Sequence, residues 1–116
     1  MEYKYINTSY IESVTGSDKE IITELVNLFS EQVAEISTEM KSLLEKKEYY
    51  PLGLLAHKAK SSVAIMGMTD LTALLKTFEL EAKESLNPDK YAAYISCFES
   101  DTKKALDELA SYVKDL

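Results

Sequence analysis

The sequence predicts an all-α protein, an up-and-down antiparallel four-helix bundle with a short additional helix at its N-terminus. Three observations carry that expectation. Glycine occurs three times and proline twice, too seldom for the turns of a β-sandwich or barrel. Apolar residues make up 46% of a 116-residue chain, enough for the core of one domain spanning 1–116 and not for two. Those residues recur at steps of three and four along four long segments, the period of a helix with one buried face.

Ile6, Tyr10, Ile11 and Val14 suit a short first helix laid over the bundle. Thr15-Gly16-Ser17 punctuates the chain there, because glycine can take the left-handed conformation that closes a helix. Ser17 and Glu20 then read as a capping box, with Ser17 the expected cap. From that start Ile22, Leu25, Phe29, Gln32, Ile36, Met40 and Leu43 mark one face of a second helix, which can run to Lys47 and be about 45 Å long. Pro51 is expected at the first position of the third helix, where its missing N–H and fixed φ are tolerated. Leu52, Leu55, Ala56, Ala59, Val63 and Met66 form the stripe of that helix, which ends near Gly67. Thr69-Asp70 reads as the cap of a fourth helix with Leu71, Leu74, Leu75, Phe78 and Ala82 inward. Asn87-Pro88 is a second cap-plus-proline start, for a last helix turning Tyr91, Tyr94, Ile95, Phe98, Thr102, Ala105, Leu109 and Tyr112 or Val113 to the core. Every connection is short, which makes sequential helices antiparallel neighbours.

Thirteen basic residues stand against twenty acidic ones, for a net charge of −7, and every basic residue is lysine. Nucleic acid demands clustered positive charge that displaces counterions from phosphates, and an anionic membrane makes a similar demand, so neither is an expected partner. The lone Cys97 cannot form an internal disulfide, which suits a reducing compartment. No apolar run reaches the roughly 18 residues of a membrane span, and MEYKYINTSY lacks the layout of a secretory signal. A cytoplasmic protein is expected, and a monomer, since no second apolar seam demands a dimer.

The one histidine, His57, departs from the apolar pattern. The stripe of the third helix centres near Leu52, and His57 falls about 140° from it, toward solvent. Its neighbours one and two turns away are Gly53, Leu54, Lys60, Ser61 and Ala64, three of them small, so the ring stands clear of bulky cover. Lys60 lies one turn on, able to bring its ammonium toward whatever the ring carries, and Lys58 adds a second positive charge. Leu54 and Ile65 fall on the outward half, apolar residues that a bundle core does not require. A nucleophilic imidazole with cationic support and an apolar surround reads as a docking site. Zinc requires three or four ligands, which one histidine and a distant cysteine do not supply, so no metal site is expected. Ser61 has no nucleophile elbow or oxyanion-hole loop beside it. No glycine-rich phosphate loop is present, so neither ATP binding nor autokinase activity is expected. Glu79, Glu81 and Glu84 read as helix surface, Glu79 with the option of a bond across the bundle.

The segment AHKAKSSVAIMGMTDLTALLKTFE, from Ala56 to Glu79, resembles the histidine-containing phosphotransfer (HPt) domain. The family pattern is a histidine, a lysine three on, small residues, a glycine ten after the histidine, then spaced leucines ending in a glutamate. His57, Lys60, Ser61, Ser62, Gly67, Leu71, Leu75 and Glu79 fall in register, and Leu25 and Phe29 look like the family's second helix. Two positions depart: Ala59 stands where leucine is usual and Ser61 where glycine is frequent. Ala59 faces the core, while the Ser61 hydroxyl faces the docking side, where it can bond a phosphoryl oxygen or crowd the approach.

The resemblance implies a phosphorelay intermediate. A receiver domain of a response regulator or hybrid histidine kinase would dock on the His57 face, His57 would accept the phosphoryl group from its aspartate, and a second receiver would take it off. Lys60 would stabilise charge on the phosphoryl oxygens. Gly53, Leu54, Lys58, Ser61, Ala64 and Ile65 would form the docking surface, with Lys58 directed at an acidic partner. Mg²⁺ would belong to the receiver, and this chain is expected to bind no cofactor of its own. On this reading the protein is a phosphocarrier and not an enzyme. The alternative from another class is a helical adaptor that binds a receiver or another protein without accepting phosphate.

Overall fold

The computed structural model describes residues 3–116. Two long amphipathic helices, α2 (Lys19–Glu45) and α5 (Tyr91–Lys114), frame the molecule, and α3 (Tyr49–Ile65) and α4 (Thr69–Lys83) complete the bundle. Contacts run α2 to α3, α3 to α4, α4 to α5 and α5 back to α2, closing the ring of an up-and-down arrangement about 43 Å long and 20 Å across. The fifth helix, α1 (Thr8–Thr15), lies against α2 and α3. No strand occurs among the described residues.

The apolar stripes meet on the bundle axis. Ile22, Phe29, Ile36 and Met40 of α2 are buried with Leu52, Ala56, Ala59 and Val63 of α3, Leu71, Leu75, Phe78 and Ala82 of α4, and Tyr91, Ile95, Phe98, Ala105 and Leu109 of α5. Leu25, Leu43, Leu74 and Tyr94 are half-buried at the edge of that core. Gln32, also half-buried, accepts a hydrogen bond from the Ser62 hydroxyl at 3.0 Å, a polar stitch between α2 and α3.

The helix starts differ from expectation in instructive ways. Ser17 does not cap α2, because Gly16 and Ser17 both take left-handed φ values of 70° and 63°, whereas a cap needs extended backbone. The role passes to Asp18 (φ −76°, ψ 119°), whose carboxylate accepts from the N–H groups of Glu20 and Ile21 and lies at the positive end of the helix dipole. Pro51 is the third residue of α3, not the first. It removes no bond there, since the helical ladder begins with Leu52 N–H donating to the Glu48 carbonyl. Thr69 is the first residue of α4, with Met68 in the capping position and no side-chain cap. Asn87 takes φ 52° and donates its amide to Glu81 instead of capping, and Pro88 opens a short 3₁₀ turn that runs into α5.

At the N-terminus Asn7 caps α1, so Ile6 precedes the helix. The helical phase then turns Ile11 and Thr15 inward and leaves Tyr10 and Val14 exposed, so of the expected apolar set only Ile6 and Ile11 are buried. Residues 4–6 form a bent strap whose three N–H groups all donate to the Glu108 carboxylate, at 2.8, 2.8 and 3.1 Å. The next N–H, of Asn7, donates to the Met66 carbonyl at the α3–α4 turn.

The closest packing lies between α3 and α4, and Gly53 permits it. A Cβ at that position would stand 2.8 Å from Lys83 Cγ and 3.0 Å from both the Glu79 carbonyl oxygen and the Lys83 nitrogen. Two of those three atoms are backbone, so a larger residue must push the helices apart. Gly53→Ala is expected to lower the unfolding free energy by about 1–2 kcal/mol, the overpacking outweighing the gain of up to about 1 kcal/mol that alanine ordinarily brings to a helix. Urea denaturation measures the change, and an unchanged or raised midpoint would mean the two helices can relax apart freely.

Candidate functional site

Gly53, His57 and Lys60 recur at steps of four and three on the α3 flank that meets α4, where Glu79 and Lys83 are one turn apart. The antiparallel pairing sets His57 across from Glu79. The imidazole is outward, its side chain 57% exposed, and its Nδ1 lies 3.1 and 3.0 Å from the two Glu79 carboxylate oxygens. Glu79 itself is only 6% exposed. Lys60 donates to its Oε1 at 3.0 Å and Lys83 to its Oε2 at 2.7 Å, so one buried carboxylate receives three nitrogen donors.

Burial alone would raise the Glu79 pKa, but the hydrogen bonds from Lys83, Lys60 and His57 outweigh it and bring it from 4.5 to about 2. The carboxylate is therefore ionised at neutral pH and can only accept hydrogen bonds. Its contact with Nδ1 requires a proton on that nitrogen. In the neutral ring the lone pair then belongs to Nε2, the form in which an exposed imidazole is a nucleophile.

The other residues singled out from the sequence fall into two groups. Leu54, Lys58 and Ser61 are exposed around His57, and Ala64 and Ile65 are half-buried beside them. Gly53 does not belong with these. It is buried beneath Lys83, and its missing side chain makes room for α4, not for a partner. Gly53 lies beside His57 on the helix as the periodicity predicts, but that flank points at the neighbouring helix. The sequence places Glu79 on the helix surface with the option of a bond across the bundle; the carboxylate is buried, the bond across the bundle is present, and Lys83 is the partner not singled out. The available signal was a Glu-x-x-x-Lys step in α4 opposite a glycine in α3, which becomes meaningful only once the two helices are known to touch there.

A shallow groove between α2 and α3 adjoins the site, lined by Leu25, Leu28, Phe29, Lys58, Ser61 and Ile65 among others. Leu28 is an exposed leucine off the core stripe of α2. A larger, more polar cleft lies between the N-terminal strap and the α3–α4 turn, around Tyr3, Asn7, Thr69 and Asp101, and His57 is not part of it. Among the described residues no three His, Cys, Asp or Glu side chains gather to hold a metal ion, and no helix is long and apolar enough to cross a membrane.

The family model described as Hpt domain matches residues 24–114, and the chain belongs to that family. Hpt domains act in histidine phosphotransfer within two-component phosphorelays, with receiver domains as partners, and are phosphocarriers rather than catalysts. The match covers all four bundle helices from Glu24 on and leaves the strap and α1 outside it. No curated protein and no solved structure matches the chain.

The ionisation of Glu79 has a thermodynamic consequence. Its pKa is depressed in the folded state, so its contribution to stability is full above 4.5 and is lost as pH falls toward about 2. Urea unfolding over that range is expected to show wild type losing stability more steeply than Glu79→Gln, which has no carboxylate there to protonate. Carbon-13 NMR of the side chain gives the direct check, and a Glu79 carboxyl that titrates near 4.5 would show that its three hydrogen bonds do not outweigh its burial.

Proposed function

We propose that this Hpt domain accepts a phosphoryl group from the aspartyl phosphate of a receiver domain onto Nε2 of His57 and passes it to the aspartate of another receiver. The observation that carries this reading is the exposed imidazole held through Nδ1 by a buried, ionised carboxylate. The Nε2 lone pair attacks phosphorus in line, the N–P bond forms as the P–O bond to aspartate breaks, and the electron pair leaves on the aspartate carboxylate. Nδ1 keeps its proton throughout. The positive charge that the ring acquires is offset by Glu79, and Lys60, one turn from His57, neutralises charge on the phosphoryl oxygens. Transfer to the second receiver is the same displacement in reverse.

The chain contributes position and charge, which is most of what phosphoryl transfer asks of a protein. Mg²⁺ and the acidic pocket that holds it are the receiver's, and this chain binds no cofactor. Leu54, Lys58, Ser61, Ala64 and Ile65 would meet the receiver, together with the groove at Leu28, and Lys58 would favour an acidic partner. The reading makes the protein a monomeric cytoplasmic carrier without kinase activity of its own.

The test is incubation with phosphorylated, Mg²⁺-loaded receiver domains. Wild type is expected to gain label that survives alkali and is lost in acid, and His57→Gln to gain none. Glu79→Gln should still accept label, about 10–100-fold more slowly, as expected from loss of one charge-assisted hydrogen bond. Tight binding to a receiver with no label on wild type would instead assign the chain to the non-phosphorylated adaptors.

A further inference from the structure

We infer that Lys83, seated over Gly53, is the standing counter-ion of Glu79 and thereby frees Lys60 to follow the phosphoryl group. The inference rests on His57 as the phosphoacceptor and goes beyond it by dividing the work between two lysines on one carboxylate. Lys83 is on this view a positioning residue that never touches phosphorus.

Glu79 is too deeply buried to lose both cations, because an uncompensated charge in that position is strongly destabilising. Were Lys60 its only ammonium, the phosphoryl group could recruit Lys60 only by stripping Glu79. Lys83 removes that conflict by occupying the other oxygen, Oε2, at 2.7 Å. With the ring neutral, Glu79, Lys60 and Lys83 together carry one excess positive charge. That excess is what an arriving phosphoryl group can use.

The two lysines are held differently, which decides which of them moves. Lys83 is on the same helix as Glu79, one turn on, and its stem lies in the space a side chain on Gly53 would fill, with Cγ 2.8 Å from the vacant Cβ position. That contact seats the near end of the Lys83 stem against α3. Lys60 reaches Glu79 from the other helix, the one that carries His57. It can exchange Oε1 for a phosphoryl oxygen by rotating its terminal bonds, while Lys83 stays in place.

Phosphoramidate gives a test that needs no receiver: its P–N bond breaks as Nε2 forms the new N–P bond, and ammonia leaves. Nitrogen-15 and carbon-13 NMR of the lysine side-chain termini, before and after this modification of wild type, should show Lys60 shifting and Lys83 unchanged. Lys83→Met, which keeps the stem and removes the charge, should slow modification of His57 about tenfold and should have no further effect in a Glu79→Gln background. A Lys83 signal that moves while Lys60 stays would overturn the inference. So would a Lys83→Met protein that reacts at the wild-type rate, or a slowing equally large without Glu79. A His57 that takes nothing from phosphoramidate overturns it whatever a receiver does. If Lys60 shifts with phosphoramidate but no receiver ever labels the protein, the relay reading fails and the division between the lysines stands.

Discussion

One buried carboxylate sets the relation between the two central helices, and the site follows from it. An ionised Glu79 can lie against α3 only if cations and an N–H meet it there, since leaving it unpaired would cost several kcal/mol. His57, Lys60 and Lys83 meet that demand in one register of α3 against α4. Sliding either helix by a turn would strand the carboxylate and move Gly53 out from under Lys83. Among the described residues no buried side-chain nitrogen or oxygen is left without a partner, so the polar contact is compatible with a well-packed bundle. The contact that fixes the register also orients the imidazole, and for this reason the fold and the chemistry are hard to separate here.

The two ends of the bundle are closed by other means, which leaves the middle of α3 as the open face. At one end the strap and α1 lay Ile6 and Ile11 over the core, and the Glu108 carboxylate gathers three consecutive N–H groups. At the other, the ring centroids of Tyr49 and Tyr91, of Tyr91 and Phe78, and of Phe78 and Tyr94 lie 5.3, 5.4 and 5.2 Å apart. The single O–H of Tyr91 is shared between the Leu86 carbonyl at 2.6 Å and the Glu81 carbonyl at 2.9 Å, and that of Tyr94 is donated to the Glu81 carboxylate. That last bond, with burial and the charge of Glu81 adding to it, raises the Tyr94 hydroxyl to about 12, so it remains a donor at any physiological pH. Aromatic rings with a satisfied polar tip thus hold the α4–α5 connection, where no side chain caps the helix.

Much of this was legible from the chain alone, and the misreadings share a cause. The periodicity located every long helix and the outward turn of His57, Leu54, Lys58 and Ser61, because both depend only on the angle between successive residues. Helix starts were less legible: a positive φ at Ser17 moved the cap to Asp18, and because the first N–H groups of a helix have no acceptor within it, Pro51 is tolerated at the third position of α3 as well as at the first. Tyr10 and Val14 were turned the wrong way because the cap at Asn7 determines the phase of a two-turn helix. The burial of Gly53 and of Glu79 was missed for another reason. Each was placed on its own helix correctly, but a single-helix projection does not contain the neighbouring helix.

The sequence by itself determined an all-α bundle, the segments that build it, and a lone histidine standing outward with a lysine one turn away. These follow from composition and from a rotation of about 100° per residue, which are properties of the chain. The tertiary structure alone decided that Glu79 is buried and ionised, that the Nδ1 side of the imidazole faces its carboxylate, and that Gly53 makes room for Lys83. Those depend on the distance and register between two helices, quantities set by packing and by the cost of burying a charge, and no periodicity within one helix encodes them.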